Sequence, residues 1–242
     1  MARTAPPGRP RCSSPLFPWT EAQRLDAVGT RTYGAPMAGH DEGVFYEEPS
    51  ELPGFVVPPR LRLPDGYTYG ATRYADIVLE SAFPEHFEDL ENALWSLTVP
   101  FEAVAKGGGN RSEIAASFDG SLAERGWGKR TIEIQKLVDG YPVMAVRGHE
   151  IDMFKPGFRD DPYPGVGVEM EWNNKDPFFD RDLNNFAALH REGIIGVGII
   201  VTRGPDLHHW LRAEVEGGPQ KYGASTTWWA RLVPRVNLGG GG

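Results

Sequence analysis

The segment Gly165 to Trp172, GVGVEMEW, holds the side chains of this chain best spaced to do chemistry. Read as a β-strand with its two-residue period, it sends Val166, Val168, Met170 and Trp172 to one face and Gly167, Glu169 and Glu171 to the other. Two carboxylates then project side by side. Like charges so placed repel, and burial would oppose their ionisation further. A divalent cation resolves that conflict, and Mg²⁺ suits it because it takes one or two carboxylates and fills its remaining positions with water or phosphate oxygens. Asp152, in His149-Glu150-Ile151-Asp152, lies seventeen residues before Glu169. If the two segments are antiparallel neighbours joined by a loop over 156–164, it becomes a third acid beside the pair. A one-sided sheet gives a second reading, in which Glu169 and Glu171 face solvent and pair with Lys or Arg.

Such acids need a rigid sheet to hold them. Thr131 to Val138 alternates apolar and polar residues, Asp139-Gly140 is a hairpin-turn pair, and Tyr141 to Phe154 is the returning strand. Gly165 to Trp172 is the third strand. Asp180 to Glu192 is patterned as a helix, with Leu183, Phe186, Ala187 and His190 on one face and Gly193 at its end. Ile194 to Thr202 is almost wholly apolar, the pattern of a strand in the middle of a sheet covered on both faces. Three strands, a helix and a strand predict an α/β fold with a mixed central sheet flanked by helices. Upstream, Pro84 to Ala105 is helical with a break at Pro100, and a second helix spans Ser112 to Arg125 with Gly126 as its cap. Downstream, a helix over Asp206 to Glu216 and a strand over Ser225 to Pro234 are expected. Before about residue 75, Pro and Gly punctuate short pieces such as Glu21 to Val28. The expected division is a loop-rich and helical region, 1–102, packing on a core over 103–242.

With that strand order in place, several segments resemble the BglII/BamHI group of type II restriction endonucleases, within the PD-(D/E)xK nuclease superfamily. They are Ile151-Asp152, Glu169-Met170-Glu171, the run Trp172 to Leu183 (WNNKDPFFDRDL) and the strand Ile194 to Val201, with the loop around Gly107 to Ser112. The resemblance covers roughly the second half of the chain. It implies a restriction-endonuclease-like βββαβ core, double-stranded DNA as substrate and Mg²⁺ as cofactor. Asp152 and Glu169 would bind the metal. Glu171 stands where most of the superfamily has lysine, and would orient or deprotonate the attacking water or bind a second metal. Ile151 replaces the proline of the superfamily name, which is not a reactant. Lys175 and Arg181 would contact DNA, against a structural reading as solvated groups or ion-pair partners of Asp176 or Asp182. The resemblance also implies a homodimer reading a palindrome, a cognate DNA methyltransferase as genetic partner and a cytoplasmic location.

Composition sets limits around this reading. The chain has 242 residues and a formal net charge of −8, which at face value opposes a nucleic-acid partner. The excess is local: residues 41–102 hold thirteen acids and three bases, and the rest of the chain sums to +2. The single Cys12 excludes an intramolecular disulfide and a cysteine-cluster metal site, in keeping with a reducing compartment. The longest apolar run, Ile194 to Val201, is far short of the roughly 20 residues that span a bilayer. Residues 1–20 have no continuous apolar stretch, so they do not read as a secretory signal. Asp180 is expected to cap a helix, His208-His209 to pack or face solvent, Trp228-Trp229 to pack a core edge, and Gly107 to Asn110 to form a loop able to present N–H groups to phosphate. Nucleophile-elbow, P-loop and dinucleotide fingerprints are absent. Two other classes compete. A glycosidase needs acids flanking a sugar, whereas adjacent same-face positions suit metal sharing. A catalytically inactive nuclease-fold DNA-binding protein would not need all three acids.

Overall fold

Among the described residues four strands form one mixed sheet in the order β1-β2-β3-β4: β1 (Gly128–Val138), β2 (Tyr141–Lys155), β3 (Gly165–Glu171) and β4 (Ile195–Thr202). β1, β2 and β3 pair antiparallel and β4 runs parallel to β3 across the helix α5 (Pro177–Arg191), which gives the expected order of three strands, a helix and a strand. This computed structural model describes residues 61–105, 112–157 and 161–241. Asp139 and Gly140 both have positive φ, the backbone that a two-residue hairpin turn requires and that Asp-Gly accommodates.

The alternation along β3 divides the core. Val166, Val168 and Met170 face a layer built by α1 (Ala75–Ala82), α2 (Pro84–Ser96), α3 (Phe101–Ala105) and α4 (Glu113–Ala123), where Leu79, Leu90, Leu94, Val104, Phe118 and Leu122 are buried. On the other face Ile132, Ile151, Phe154 and Ile195 pack against Phe186 and Leu189 of α5. The break at Pro100 separates α2 from α3 as its missing N–H requires. Ser112 caps α4 by accepting from the Ala115 N–H at 3.0 Å. Beyond β4 follow α6 (Pro205–Glu214), α7 (Gly218–Lys221) and α8 (Trp229–Asn237), whose Leu232 packs on Phe179 and Leu183 of α5.

Three expectations are corrected. β3, buried along its whole length, lies inside the sheet, while β4 is its edge among the described residues. An apolar strand says nothing about whether its backbone edge is paired; α1 and α5 both contact β4, which is buried only at Ile195 and Val197. Ser225 to Pro234 is not a strand: Thr226 makes one bridge to Lys175 and the rest enters α8. Leu232 and Val236 lie four apart, which suits a helix face against α5. Asp180 is no cap, because Pro177 starts α5 earlier; it sits in the first turn and accepts from Arg235 Nε at 2.8 Å. The segments Glu21 to Val28 and Gly107 to Asn110, and Cys12, lie outside the described residues.

Candidate active site

β3 carries Glu169 and Glu171 on the face that α5 covers, so they are 4% and 2% exposed and the solvent-facing reading of the pair is set aside. The antiparallel register opposes Met153 to Val168, which sets Asp152 next to Glu169. The Asp152 N–H donates to Glu169 Oε1 at 3.3 Å, while the Asp152 side chain stays exposed. Asp152, Glu169 and Glu171 are therefore brought together at one end of the sheet.

Neighbouring elements fix the strands that carry them. Lys155 at the end of β2 binds Asp89 of α2 at 2.6 Å, and the same carboxylate oxygen accepts from Trp127 Nε1 at 2.9 Å. A hydrogen bond of 3.0 Å between the His149 ring and Asn185 ties β2 to α5. Thr202 of β4 donates its hydroxyl to the Glu171 carbonyl at 2.8 Å.

A fourth acid enters from α5. Asp182 is 1% exposed and lies against Glu171. Arg181 binds Asp182 Oδ1 through Nε at 2.8 Å and Nη2 at 2.7 Å, and its Nη2 reaches Glu171 Oε1 at 3.5 Å. Asn174 Nδ2 donates to Glu171 Oε2 at 2.7 Å. Asp182 Oδ2 is buried with no donor among the described residues. Two carboxylates in contact cannot both ionise freely, so a proton or a cation must lie between them.

The electrostatics follow from this crowding. Burial, then the charges of Asp152 and Asp182, push the Glu169 carboxyl up to about 9. Burial also raises Glu171, with Asp182 adding to the rise and Asn174 and Arg181 opposing it. Asp182 is raised by burial against the pull of Glu171 and Arg181. Four acids held this close by the fold are costly in the absence of positive charge.

The donor set fits a hard cation. Asp152 and Glu169 offer carboxylate oxygens from adjacent strands, and the orphaned Asp182 Oδ2 lacks a positive partner. Among the described residues no group of three or more His, Cys, Asp or Glu side chains is placed to hold a metal ion together. Mg²⁺ does not need one, since it keeps water and phosphate oxygens in its shell.

Residues 67–242 match the family of restriction endonucleases BglII/BglIII. The chain belongs to this family. A comparison with curated proteins gives no significant match. The restriction endonuclease is thus a DNA nuclease with DNA as its substrate, of a kind that generally uses divalent metal ions. Membership sets aside the sugar-hydrolase reading. Among its described residues no helix is long and apolar enough to cross a membrane.

The nuclease places the other sequence candidates unequally. Arg181 joins the acid cluster with half its side chain exposed, and its guanidinium lies 4.6 Å from the Phe178 ring centroid. Lys175 is exposed on the loop after β3, where its backbone bridges to Thr226. His208 is fully buried and stacked on Trp228 at 3.9 Å between ring centroids, while His209 is exposed. Asn174 was not singled out by the sequence, and Asp182 only as an ion-pair partner of Lys175 or Arg181, which it is for Arg181. Their signal was the position of each relative to Glu171: three residues on for Asn174, and the buried face of α5 one turn before Phe186 for Asp182.

Proposed function

We propose that this restriction endonuclease is a type II, site-specific enzyme that hydrolyses phosphodiester bonds in double-stranded DNA with Mg²⁺. The observation that carries the reading is the buried Glu169 beside Asp152, at the base of a cluster with two further acids. Asp152 and Glu169 would hold the metal. When bound, Mg²⁺ supplies positive charge for the phosphate and lowers the pKa of the attacking water. Glu171 would take the proton from that water at Oε1, since Oε2 is occupied by Asn174. Arg181, within 3.5 Å of that oxygen, would stabilise the ionised carboxylate and face the phosphate from its exposed side. Lys175 would contact the DNA backbone.

A palindromic target implies a two-fold symmetric homodimer with one site per strand. A cognate methyltransferase and a cytoplasmic location complete the proposal, with residues 1–102 as an N-terminal region and 103–242 as the nuclease core. The test is digestion of mixed-sequence plasmid by the purified protein with Mg²⁺, with and without EDTA. Discrete fragments with Mg²⁺ alone are expected. Glu169→Ala should abolish cleavage and retain DNA binding; a variant that still cuts at the full rate would overturn the assignment.

A further inference from the structure

Arg203, directly after β4, is 1% exposed, yet none of its hydrogen-bond partners among the described residues is an acid. Its Nη1 donates to His208 Nδ1 at 3.2 Å, and its Nη2 reaches Asn173 Oδ1 at 3.2 Å, Thr226 Oγ1 at 2.8 Å and the Thr227 carbonyl at 2.8 Å. Burial and the nearby cations hold His208 down to about 3, so its ring is neutral and can accept. Arg203 itself, lowered by burial to about 10, keeps its charge near neutral pH. Three buried nitrogens around it, Arg203 Nε, His208 Nε2 and Trp228 Nε1, have no hydrogen-bond partner among the described residues.

As packing, this arrangement is poor. The guanidinium has the Tyr222 ring centroid 5.1 Å away but no carboxylate, and an apolar side chain of similar volume would avoid the cost of burying its charge. What an apolar residue lacks is a planar fork of donors able to join separate segments. The segments joined here lead to the acid cluster. Thr227 holds Asn174 at both ends of its backbone: Asn174 N donates to Thr227 Oγ1 at 3.0 Å, and Thr227 N donates to the Asn174 carbonyl at 2.9 Å. The Asn174 amide in turn donates to Glu171 Oε2.

We infer that Arg203 is a positioning residue for the nuclease reaction, which fixes the orientation of Glu171 through Thr227 and Asn174. It never touches the reacting atoms. The chain of contacts is Arg203, Thr227, Asn174, Glu171, and each link is a direct hydrogen bond. This inference rests on the proposed role of Glu171.

The test uses the full chain and a plasmid that the wild-type protein cuts. Arg203→Lys keeps the charge and loses the fork. Its single-turnover rate in Mg²⁺ should fall by about 10- to 100-fold, the size expected when a reacting group is displaced by around 1 Å. DNA affinity in Ca²⁺ and melting temperature should stay near wild type. Asn174→Ala should show the same fall, and the double variant should be no slower than Asn174→Ala alone, because both changes cut one chain. Thr227→Val, which keeps shape and removes only the hydroxyl, repeats the test if Arg203→Lys does not fold. Multiplicative losses in the double variant, or full-rate cleavage by Arg203→Lys or by a folded Thr227→Val, would overturn the inference. Glu171→Gln separates the two levels: if it cuts at the wild-type rate, the reading of the site fails first and the positioning role falls with it.

Discussion

At the level of single residues, the site is built against the stability of the protein that contains it. Glu169 has an ordinary pKa of 4.5 and is held at about 9 in the fold. Between those values the folded state binds a proton that the unfolded state has released, so stability decreases as pH rises through that window. Above about 9 the penalty is fully present, and below 4.5 it vanishes. The raised values of Glu171 and Asp182 act in the same direction. The metal-free protein should therefore lose on the order of a few kcal/mol between acid and alkaline conditions. Thermal unfolding in EDTA across pH 5 to 9 should show this as a falling melting temperature, shallower in Glu169→Gln and reversed by added Ca²⁺. A Glu169→Gln slope equal to that of wild type would show that the burden lies elsewhere.

At the level of elements, α5 is the lid of the acid cluster, and a narrow contact sets its height. Gly198 of β4 faces the Phe186 ring; a Cβ there would lie 2.6 Å from Phe186 Cγ and Cδ2. Gly198→Ala must therefore push α5 outward, and Asp182 and Arg181 move with it. Overpacking of this kind costs about 1–3 kcal/mol. The urea midpoint should drop with the slope unchanged, and cleavage should fall together with it. Phe186→Leu in the same background should recover part of both losses, since the two positions share one contact. Loss of activity without loss of stability would place the effect outside this packing.

The elements themselves were largely legible in the sequence. Period-two alternation in 165–172 and the Asp-Gly turn fixed strand and hairpin, and Leu183 with Phe186 marked the inner face of α5. Asp182 was legible as an ion-pair partner but not as a member of the acid cluster, because a single acid beside an apolar stripe reads as surface until the partner strand is placed. Arg203 was hidden for a similar reason: all its hydrogen-bond partners except His208 lie more than twenty residues away. The strand misassigned at Ser225 to Pro234 shows the converse, since paired tryptophans and branched residues carry no period that separates strand from helix over so short a run.

At the level of the whole molecule, charge is sorted by layer. The helices α1 and α2, from the segment with thirteen acids and three bases, pack across the sheet from α5. Their negative charge is thus separated from the acid cluster by the thickness of the sheet. Beside the cluster stands Arg181, and Arg231 and Arg235 gather around Asp176. DNA approaching this end meets the cations and the carboxylates together, and the carboxylates repel phosphate unless a metal screens them. Affinity for plasmid DNA should rise on the order of tenfold or more when Ca²⁺ replaces EDTA, and should weaken with added salt in both conditions. Asp152 is the exposed member of the cluster, so Asp152→Asn should bind DNA more tightly than wild type in EDTA and gain less from Ca²⁺. Fluorescence anisotropy with labelled duplex reads all of these differences. Equal wild-type affinity in Ca²⁺ and in EDTA would mean that the acids do not face the phosphate backbone, and that DNA docks elsewhere on the molecule.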